Sequence, residues 1–335
     1  MRARFANLDE LYLATLRDVC TAYEYRNAPR GQAEREIIGY SARIEDPLAR
    51  FCRHASRKQN VVFNYAEALW YLSGRNDLAF IEYYAPSMAR YSPDGKTLPG
   101  TGYGARLLHF GDDGIDQIER AIDILKRDDA ESKRVVLQIF DAREDLYKRN
   151  IDVSCTLGLQ LLLRDGRLNM VAFMRANDAY VGLLNDVFSF TFLQEYLASA
   201  IGCELGTYTH HVGSVHIYDQ NLLQAEALLG PPGTAVTAVA PPRMTPRLRE
   251  RHDPPRAGGG GAHPRGAGLV RGAAGHRPRP VLARHSRTLL GVPADPLRRA
   301  RSRSFTELPP SVPSRLSGQP LGRDAGIAAL TGHTR

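Results

Sequence analysis

The sequence predicts an α+β protein followed by a long segment of different composition. Two observations support this prediction: stretches with the apolar spacing of helices, and a strongly marked β-hairpin at 155–175. The composition changes after residue 221, because from there to residue 335 the chain contains no Lys, Asn, Tyr, Cys or Trp.

Helices dominate the first part of the chain. Four segments have the apolar spacing or composition of helices: residues 6–24, 61–74, 114–128 and 185–202. The second and fourth end at Gly74 and Gly202, which suit a helix C-terminus. In the third, four apolar side chains form one stripe: Ile115, Ile118, Ile122 and Leu125.

Strands are predicted by β-branched runs and by alternation of apolar residues. Residues 133–140 and 206–218 have the composition of strands. Between them lies a hairpin with an Asp165-Gly166 turn and a second strand over 167–175. Alternation places five residues of its first strand on one face: Cys155, Leu157, Leu159, Leu161 and Leu163.

The last third of the chain is basic. Residues 231–335 contain eighteen Arg and five acidic residues, a balance of +13, so residues 1–230 carry −5 of the total net charge of +8. We expect residues 226–335 to be a disordered or irregular Arg/Pro/Gly/Ala-rich tail and 1–225 to be the catalytic domain, since the tail cannot bury enough apolar surface to offset its ordering entropy. Two interpretations of the tail stay open: a basic segment that contacts polyanions, or an out-of-frame reading of GC-rich coding sequence.

Composition also limits the class of protein. The N-terminus has no continuous apolar core of a signal peptide, and no apolar run reaches the ~18 residues of a membrane span. Four cysteines without paired spacing do not indicate a disulfide framework. We therefore expect a cytoplasmic protein without a membrane partner or a resident metal, whose slightly acidic folded part does not bind nucleic acid.

A cysteine and an arginine can meet across the hairpin. Cys155 heads the first strand and Arg175 lies on the second. A neighbouring cation lowers the pKa of a thiol below its ordinary value of about 8.5 and makes it a nucleophile. Taken alone, the pair equally fits a buried cysteine beside an arginine without a chemical role, and that interpretation also applies to the remaining cysteines: Cys20, Cys52 and Cys203.

The hairpin resembles the active-site region of the thymidylate synthase family. The spacing from Cys155 to Arg175, the position of Gln160 and the Asp-Gly turn all match. "RANDAYVGLLND" resembles the family's Arg-Ser-x-Asp-x-x-x-Gly stretch, "GSVHIY" its Gly-Asp-x-His-x-Tyr, and "EALWYLSG" its Glu-Leu-Leu-Trp-Phe-Leu-x-Gly. Shorter likenesses occur in "GYG", "IDQI" and "ESKRVV". The likeness covers about residues 5–221 and implies a mixed, bent sheet covered by helices, with a homodimer formed through the sheet face.

The resemblance implies a role for each matching residue. Cys155 would add to C6 of a pyrimidine nucleoside monophosphate, and Glu67 and Tyr103 would transfer protons. The implied phosphate ligands are Arg30 and Arg175, with Lys133 and Arg134 supplied by the partner subunit. The other implied substrate contacts are Gln160, Ala176, Asp186, His216 and Tyr218. The implied contacts with the cofactor, 5,10-methylenetetrahydrofolate, are Asp178 and Trp70.

Each of four residues also has a purely structural alternative: Glu67, Lys133, Arg134 and His216. The first three would be solvated surface charges and the last a core histidine. Arg26 competes with Arg30, because the register of "NAPRGQAEREIIGY" with the family needs a one-residue gap.

Asp186 departs from the synthases, which carry Asn at this position. A carboxamide matches the O4 and N3–H groups of uracil, whereas a carboxyl group accepts from the amine of cytosine, and a proton on the acid or on N3 completes the second bond. An ionised Asp186 against uracil O4 would cost ~1–3 kcal/mol. If the alignment with the family is shifted by one residue, Asn185 is the base-reading residue instead. The sequence thus resembles the cytidylate hydroxymethylases, and among them the CMP hydroxymethylases of nucleoside-antibiotic biosynthesis, in which water traps the methylene group at C5.

Other departures affect the pocket. Thr156, Ala176 and Ser214 replace the family's His, Ser and Asp, and the last two favour a ribose 2′-OH. Residues 83–96 lack the tryptophans that shield the intermediate in the synthases, which predicts a wetter pocket. Two alternatives stay open: a thymidylate synthase that methylates dUMP, and a non-catalytic protein that binds nucleotides or nucleic acid.

Overall fold

A computed structural model describes residues 3–54, 56–230 and 243–244. Its helices are α1 (Leu8–Thr21), α2 (Val61–Leu72), α3 (Leu78–Glu82), α4 (Tyr103–Leu108), α5 (Gln117–Asp123), α6 (Gly182–Ile201) and α7 (Leu222–Leu229). Its strands are β1 (Ala3–Phe5), β2 (Tyr25–Asn27), β3 (Glu34–Ile44), β4 (Val136–Gln138), β5 (Thr156–Arg164), β6 (Arg167–Asp178) and β7 (Glu204–Tyr218). Short 3-10 turns cover Pro29–Gly31, Pro86–Tyr91 and Asp219–Asn221, and wider π turns cover Ile124–Asp128 and Ala142–Tyr147.

The described strands form one mixed sheet in the order β1-β3-β7-β6-β5-β4, with β2 also paired to β3. The pairs β1–β3 and β6–β7 are parallel, and the others are antiparallel. Helices α1 and α6 pack on the long central strands. This arrangement confirms the predicted α+β class with a mixed sheet covered by helices.

Helix α6 lies at the centre of the core. Fifteen of its twenty residues are buried, so other elements enclose most of its surface. It ends at Gly202, whose φ of +89° is the left-handed conformation that closes helices. Helix α2 packs against it and begins at Asn60, whose side chain accepts a hydrogen bond from the Phe63 N–H at 3.0 Å.

The hairpin has the predicted turn but not the predicted face. Asp165 and Gly166 have φ values of +51° and +70°, as a two-residue turn with two left-handed positions requires. Leu157 is an extra residue in β5, since Thr156 pairs with Met174 but Gly158 pairs with Phe173.

This bulge breaks the alternation predicted from Cys155 to Leu163. Leu159 and Leu161 are fully buried, and Leu163 packs against the same core. Leu157 is 41% exposed, and the shifted register places Cys155 on the opposite face of the sheet from Leu159. The predicted common face was therefore wrong for its first two members. Gly158 is required here, because a Cβ atom would lie 2.8 Å from the Leu137 carbonyl oxygen.

Two other predicted elements are shorter than expected. The helix predicted over 114–128 begins at Gln117, so Ile115 lies outside it and is 51% exposed. The strand predicted over 133–140 is confined to Val136–Gln138. Of the predicted tail, residues 226–229 belong to α7, and nearly all of the rest lies outside the described residues. Within the described part of the chain, no helix is both long enough and apolar enough to cross a membrane.

Candidate active site

The hairpin brings Cys155 and Arg175 together. The Arg175 N–H donates to the Cys155 carbonyl at 2.8 Å, and Nη2 of the guanidinium lies 3.7 Å from Sγ. The same guanidinium donates to the Ser154 carbonyl at 2.7 Å and to the Val153 carbonyl at 3.2 Å. Arg175 therefore holds the backbone before the cysteine as well as facing its sulfur.

The thiol is not activated in the way the sequence predicted. Burial raises the pKa of Cys155 above its ordinary value, and this effect outweighs the guanidinium of Arg175, which lowers it. The charges of Asp186 and Asp152 act in the same direction as burial, and Arg30 opposes them. In the single chain Cys155 is accordingly a thiol, and Arg175 is the principal group that favours its anion.

Two buried carboxylates fix the segment that leads to Cys155. Asp152 accepts hydrogen bonds from the N–H groups of Gly100 and Thr101, at 2.8 and 3.0 Å. Asp145 pairs with the buried guanidinium of Arg106 and accepts from the Ser154 N–H at 3.2 Å. The loop before α4 and the start of β5 are thus joined by charge-assisted bonds, which are stronger than neutral ones.

Glu67 projects from α2 into the core and is only 6% exposed. Ser189 of α6 donates to its Oε2 at 2.8 Å, and Tyr71, one turn along α2, is also hydrogen-bonded to it. Burial raises the pKa of Glu67 to about 7, against the lowering effect of these two bonds. A carboxyl group that titrates near neutrality can both give and take a proton at working pH. The alternative of a solvated surface charge is therefore wrong.

Tyr103 lies at the start of α4 between aromatic rings and the hairpin. Its ring stacks on Tyr71 with centroids 4.9 Å apart, and its hydroxyl accepts a hydrogen bond from Thr156 Oγ1 at 3.1 Å. Burial raises the pKa of Tyr103 well above its ordinary value, and the charges of Asp186 and Cys155 raise it further. Tyr103 is thus a neutral donor close to both groups.

Asp186 rather than Asn185 belongs to this group of side chains. Asn177 Nδ2 donates to Asp186 Oδ2 at 2.7 Å, whereas Asn185 accepts from Asn64 of α2 at 2.8 Å. Burial raises the pKa of Asp186 well above its ordinary value, and the charge of Glu67 adds to this effect. Burial therefore favours the neutral acid, and the hydrogen bond from Asn177 opposes this effect.

His216 and Tyr218 lie next to each other on β7, with ring centroids 5.0 Å apart. His216 Nε2 is 3.8 Å from Oε2 of the buried Glu34, and the described residues offer no hydrogen-bond partner to His216 Nδ1 or to that oxygen. Burial raises the pKa of Glu34 to about 7, and the charges of Glu36 and Asp178 raise it further. These orphaned polar atoms fit hydroxyl groups of a ligand, since buried polar groups are ordinarily paired.

Arg30 is the arginine of its segment that faces the cysteine. It has a left-handed φ of +55°, and its guanidinium lies 3.5 Å from the Ile151 carbonyl oxygen. Arg26, the rival, is paired with Asp219 at 2.7 Å. The structure therefore leaves Arg30 available for the phosphate role that the resemblance implies.

Four predicted site residues do not face Cys155 in the structure: Gln160, Lys133, Arg134 and Trp70. Gln160 is five strand positions, roughly 17 Å, from Cys155 and donates to the Lys133 carbonyl at 2.9 Å. Lys133 and Arg134 are exposed, and Arg134 lies 3.7 Å from Asp128. Trp70 is fully buried and stacks on Tyr71, so its indole offers no surface for the predicted cofactor contact.

The N-terminal end of α6 fits one part of a pterin. Asp178 accepts from the Tyr180 and Val181 N–H groups at 2.9 and 3.2 Å, and each of its oxygens keeps capacity for a further donor. Burial raises the pKa of Asp178. Val181 beside it is 43% exposed, which provides apolar surface for a flat ring. No group of three or more His, Cys, Asp or Glu side chains in the described residues could hold a metal ion.

Sequence reasoning missed several polar residues around the site. Ser189 bonds Glu67 from 122 residues away, and no local pattern marks it. Tyr71 was detectable, because it lies four positions after Glu67 on one helix face. Asn177 lies between two residues that were singled out, Arg175 and Asp178, but its partner His210 is 33 residues further along the chain.

Comparison with known proteins agrees with this geometry. The sequence model of the family described as "Thymidylate synthase" matches residues 10–239. The chain is 32% identical over 199 residues to the "Deoxyuridylate hydroxymethyltransferase" of Pseudomonas phage M6, covering 58% of this chain and 55% of the relative. It is 29% identical over 201 residues to the protein of the same name from Bacillus phage SP01, covering 57% and 52%.

A third relative is shorter. The chain is 30% identical over 203 residues to a "Putative thymidylate synthase" of Methanothermobacter marburgensis, covering 60% of this chain and 85% of the relative. The chain spans about half the length of the two hydroxymethyltransferases.

Proposed function

Because this chain belongs to the thymidylate synthase family, we propose that it is a one-carbon transferase that hydroxymethylates C5 of a pyrimidine nucleoside monophosphate, with cytidylate (CMP or dCMP) as the substrate. The observation that carries the proposal is the proximity of Cys155, Arg175 and Asp186, with Glu67 beside Asp186. The names of the phage relatives support hydroxymethylation over methylation.

Cys155 is the proposed nucleophile. Burial favours the protonated thiol, so as its sulfur adds to C6 of the base the thiol proton passes to a water molecule. The Arg175 guanidinium, 3.7 Å away, stabilises the anionic sulfur as it develops and when it leaves. The addition makes C5 nucleophilic, and hydroxymethylation is completed when water attacks the methylene group attached there.

Glu67 and Tyr103 are the proposed proton-transfer groups. Glu67, with a pKa of about 7, is suited to exchange protons with the base or with water inside the pocket. Tyr103 lies close to both Cys155 and Asp186, and its neutral hydroxyl is placed to assist removal of the C5 proton.

The family's enzymes use 5,10-methylenetetrahydrofolate, which supplies the one-carbon unit when bound. In this chain Asp178 would hold the polar edge of the pterin and Val181 would pack against its ring. Both residues lie just before α6, eight and five positions before Asp186.

A neutral Asp186 is compatible with cytosine but does not exclude uracil. Its hydroxyl can donate to N3 of cytosine while its carbonyl oxygen accepts from the 4-amino group, and the reversed arrangement pairs with O4 and N3–H of uracil. We favour cytosine because its amine can donate to Asp186 whether the acid is neutral or ionised, whereas the ionised acid would face uracil O4 acceptor to acceptor. The names of the phage relatives favour deoxyuridylate, which is therefore the second candidate.

A homodimer is part of the proposal. Exposed apolar side chains occur on four strands of the sheet: Ile38, Val136, Leu157 and Phe173. Contiguous exposed apolar surface on a sheet is typical of an interface between subunits. In such a dimer the exposed Lys133 and Arg134 would reach the phosphate site of the partner subunit, while Arg30 and Arg175 would serve the phosphate of their own.

Release of tritium from C5 tests the substrate. We expect release from tritiated CMP or dCMP in the presence of methylenetetrahydrofolate, and none with the Cys155→Ala variant. Release confined to dUMP would overturn the cytidylate assignment and support the second candidate. Absence of release from all three nucleotides, from protein that binds them, would favour the non-catalytic alternative.

A further inference from the structure

A chain of hydrogen bonds runs from the interior of the sheet to Asp186. Tyr208 and His210 lie on β7, Asn177 on β6 and Asp186 on α6. The Tyr208 hydroxyl is 2.8 Å from His210 Nδ1, His210 Nε2 is 3.0 Å from Asn177 Oδ1, and Asn177 Nδ2 is 2.7 Å from Asp186 Oδ2. Tyr208 and His210 are fully buried and Asn177 is nearly so.

The chemistry of these groups fixes which atom donates in each hydrogen bond. Asn177 uses its amide N–H toward Asp186, so its Oδ1 must accept from His210 Nε2. Burial lowers the pKa of His210 to about 3, and a neutral imidazole has only one N–H. Nδ1 is therefore bare and accepts the hydroxyl hydrogen of Tyr208. Every donor in the chain consequently points toward Asp186.

The last hydrogen bond, from Asn177, distinguishes the two oxygens of Asp186. Oδ2 receives a hydrogen bond from Asn177, so it is the oxygen that acts as an acceptor. When the acid is neutral, its proton is carried by Oδ1. The space for this contact exists because residue 182 is glycine: a Cβ atom there would lie 3.0 Å from Asn177 Nδ2 and 3.5 Å from Asp186 Oδ2.

We propose that Asn177 and His210 are positioning residues that determine base specificity by fixing which oxygen of Asp186 carries the proton. This inference rests on the proposed function. With Oδ2 facing the C4 substituent and Oδ1–H facing N3, the acid pairs with the amine donor and ring acceptor of cytosine. The same orientation sets acceptor against acceptor at uracil O4 and donor against donor at N3–H.

Dissociation constants for CMP and UMP, measured by calorimetry without folate, test the inference. The two nucleotides differ only at the base edge, so a general loss of packing or of phosphate binding weakens both equally and leaves the ratio of their dissociation constants unchanged. Asn177→Leu removes the donor at similar size, and we expect the preference for CMP over UMP to fall about tenfold, which corresponds to about 1.4 kcal/mol. His210→Phe should lower it in the same direction.

Asn177→Asp gives the strongest contrast, because it presents an acceptor to Oδ2. The proton of Asp186 then moves to Oδ2 and is donated to residue 177, so Oδ1 faces N3 as an acceptor and the preference for CMP over UMP should be lost. His211→Phe is the matched control, since His211 is the next residue on β7 and stacks on Phe173 with centroids 5.5 Å apart. That variant should keep the wild-type ratio.

The outcomes separate the two proposals. A wild-type protein that binds UMP at least as tightly as CMP overturns the cytidylate assignment. The role of the hydrogen-bond chain is overturned if Asn177→Leu and His210→Phe both keep the wild-type ratio within about twofold, whichever base the wild type prefers. If Asn177→Leu does not fold, His210→Phe and Asn177→Asp decide the question by the same ratio.

Discussion

Replacing Glu67 with Gln should change the dependence of stability on pH. Burial raises the pKa of Glu67 from 4.5 to about 7, so between these values the folded protein holds a proton that the unfolded chain has released. The unfolded state then binds fewer protons, and the free energy of unfolding falls as pH rises, levelling off above pH 7. Integrated from pH 5 to 8, this loss is about 2–3 kcal/mol. Glu67→Gln has no proton to lose and should keep that stability.

Urea unfolding followed by circular dichroism at pH 5, 6, 7 and 8 measures this difference. Glu119→Gln is the control, since Glu119 is exposed on α5 and its replacement should leave the wild-type pH dependence unchanged. If the curves for Glu67→Gln and the wild type run parallel from pH 5 to 8, Glu67 is not a buried acid with a raised pKa. Its proposed role in proton transfer would then lose its physical basis.

Three further substitutions give separate tests. Cys155→Ala should reduce tritium release from C5 to background while the dissociation constant for CMP stays within about threefold, measured by calorimetry. Arg175→Leu should slow alkylation of Cys155 by iodoacetamide at pH 8, because the guanidinium that lowers the thiol pKa is lost. Arg164→Leu, on the same hairpin, is the control and should leave the alkylation rate unchanged. Equal alkylation rates in Arg175→Leu and the wild type would contradict this account. Arg106→Leu should lower the free energy of unfolding in urea by about 3–5 kcal/mol, since it leaves Asp145 buried without a cation. A loss below about 1 kcal/mol would show that the Arg106–Asp145 ion pair is dispensable.

Local patterns predicted the elements better than their irregularities. The turn at Asp165-Gly166 and the helix end at Gly202 depend on one or two residues with left-handed backbone, and both were predicted. The bulge at Leu157 was not, because it depends on β4: the Leu157 carbonyl accepts N–H groups of Ile139 and Phe140, at 3.0 and 3.1 Å. Alternation within β5 carries no information about that pairing.

In the candidate active site, too, a local contact was predictable from the sequence and the ionisation of the side chains was not. Pairing of the two hairpin strands was enough to predict that Cys155 and Arg175 meet. The ionisation of Cys155 was not predictable, because burial by distant elements outweighs the guanidinium beside it. The raised pKa of Asp186 was not predictable either, because it results from burial and the charge of Glu67 on α2, opposed by the hydrogen bond from Asn177 on β6. Residue types at fixed spacing therefore predicted which side chains meet, and tertiary packing determines the pKa shifts of those side chains.

Mass spectrometry of the product tests the central claim most directly. The protein is incubated with CMP and methylenetetrahydrofolate in isotopically labelled water, with Cys155→Ala as the control. The account predicts a nucleotide heavier than CMP by one CH₂O unit, with the label in the new hydroxyl group, and free tetrahydrofolate. A methylated nucleotide accompanied by dihydrofolate, or a hydroxymethyl product formed only from dUMP, would contradict it.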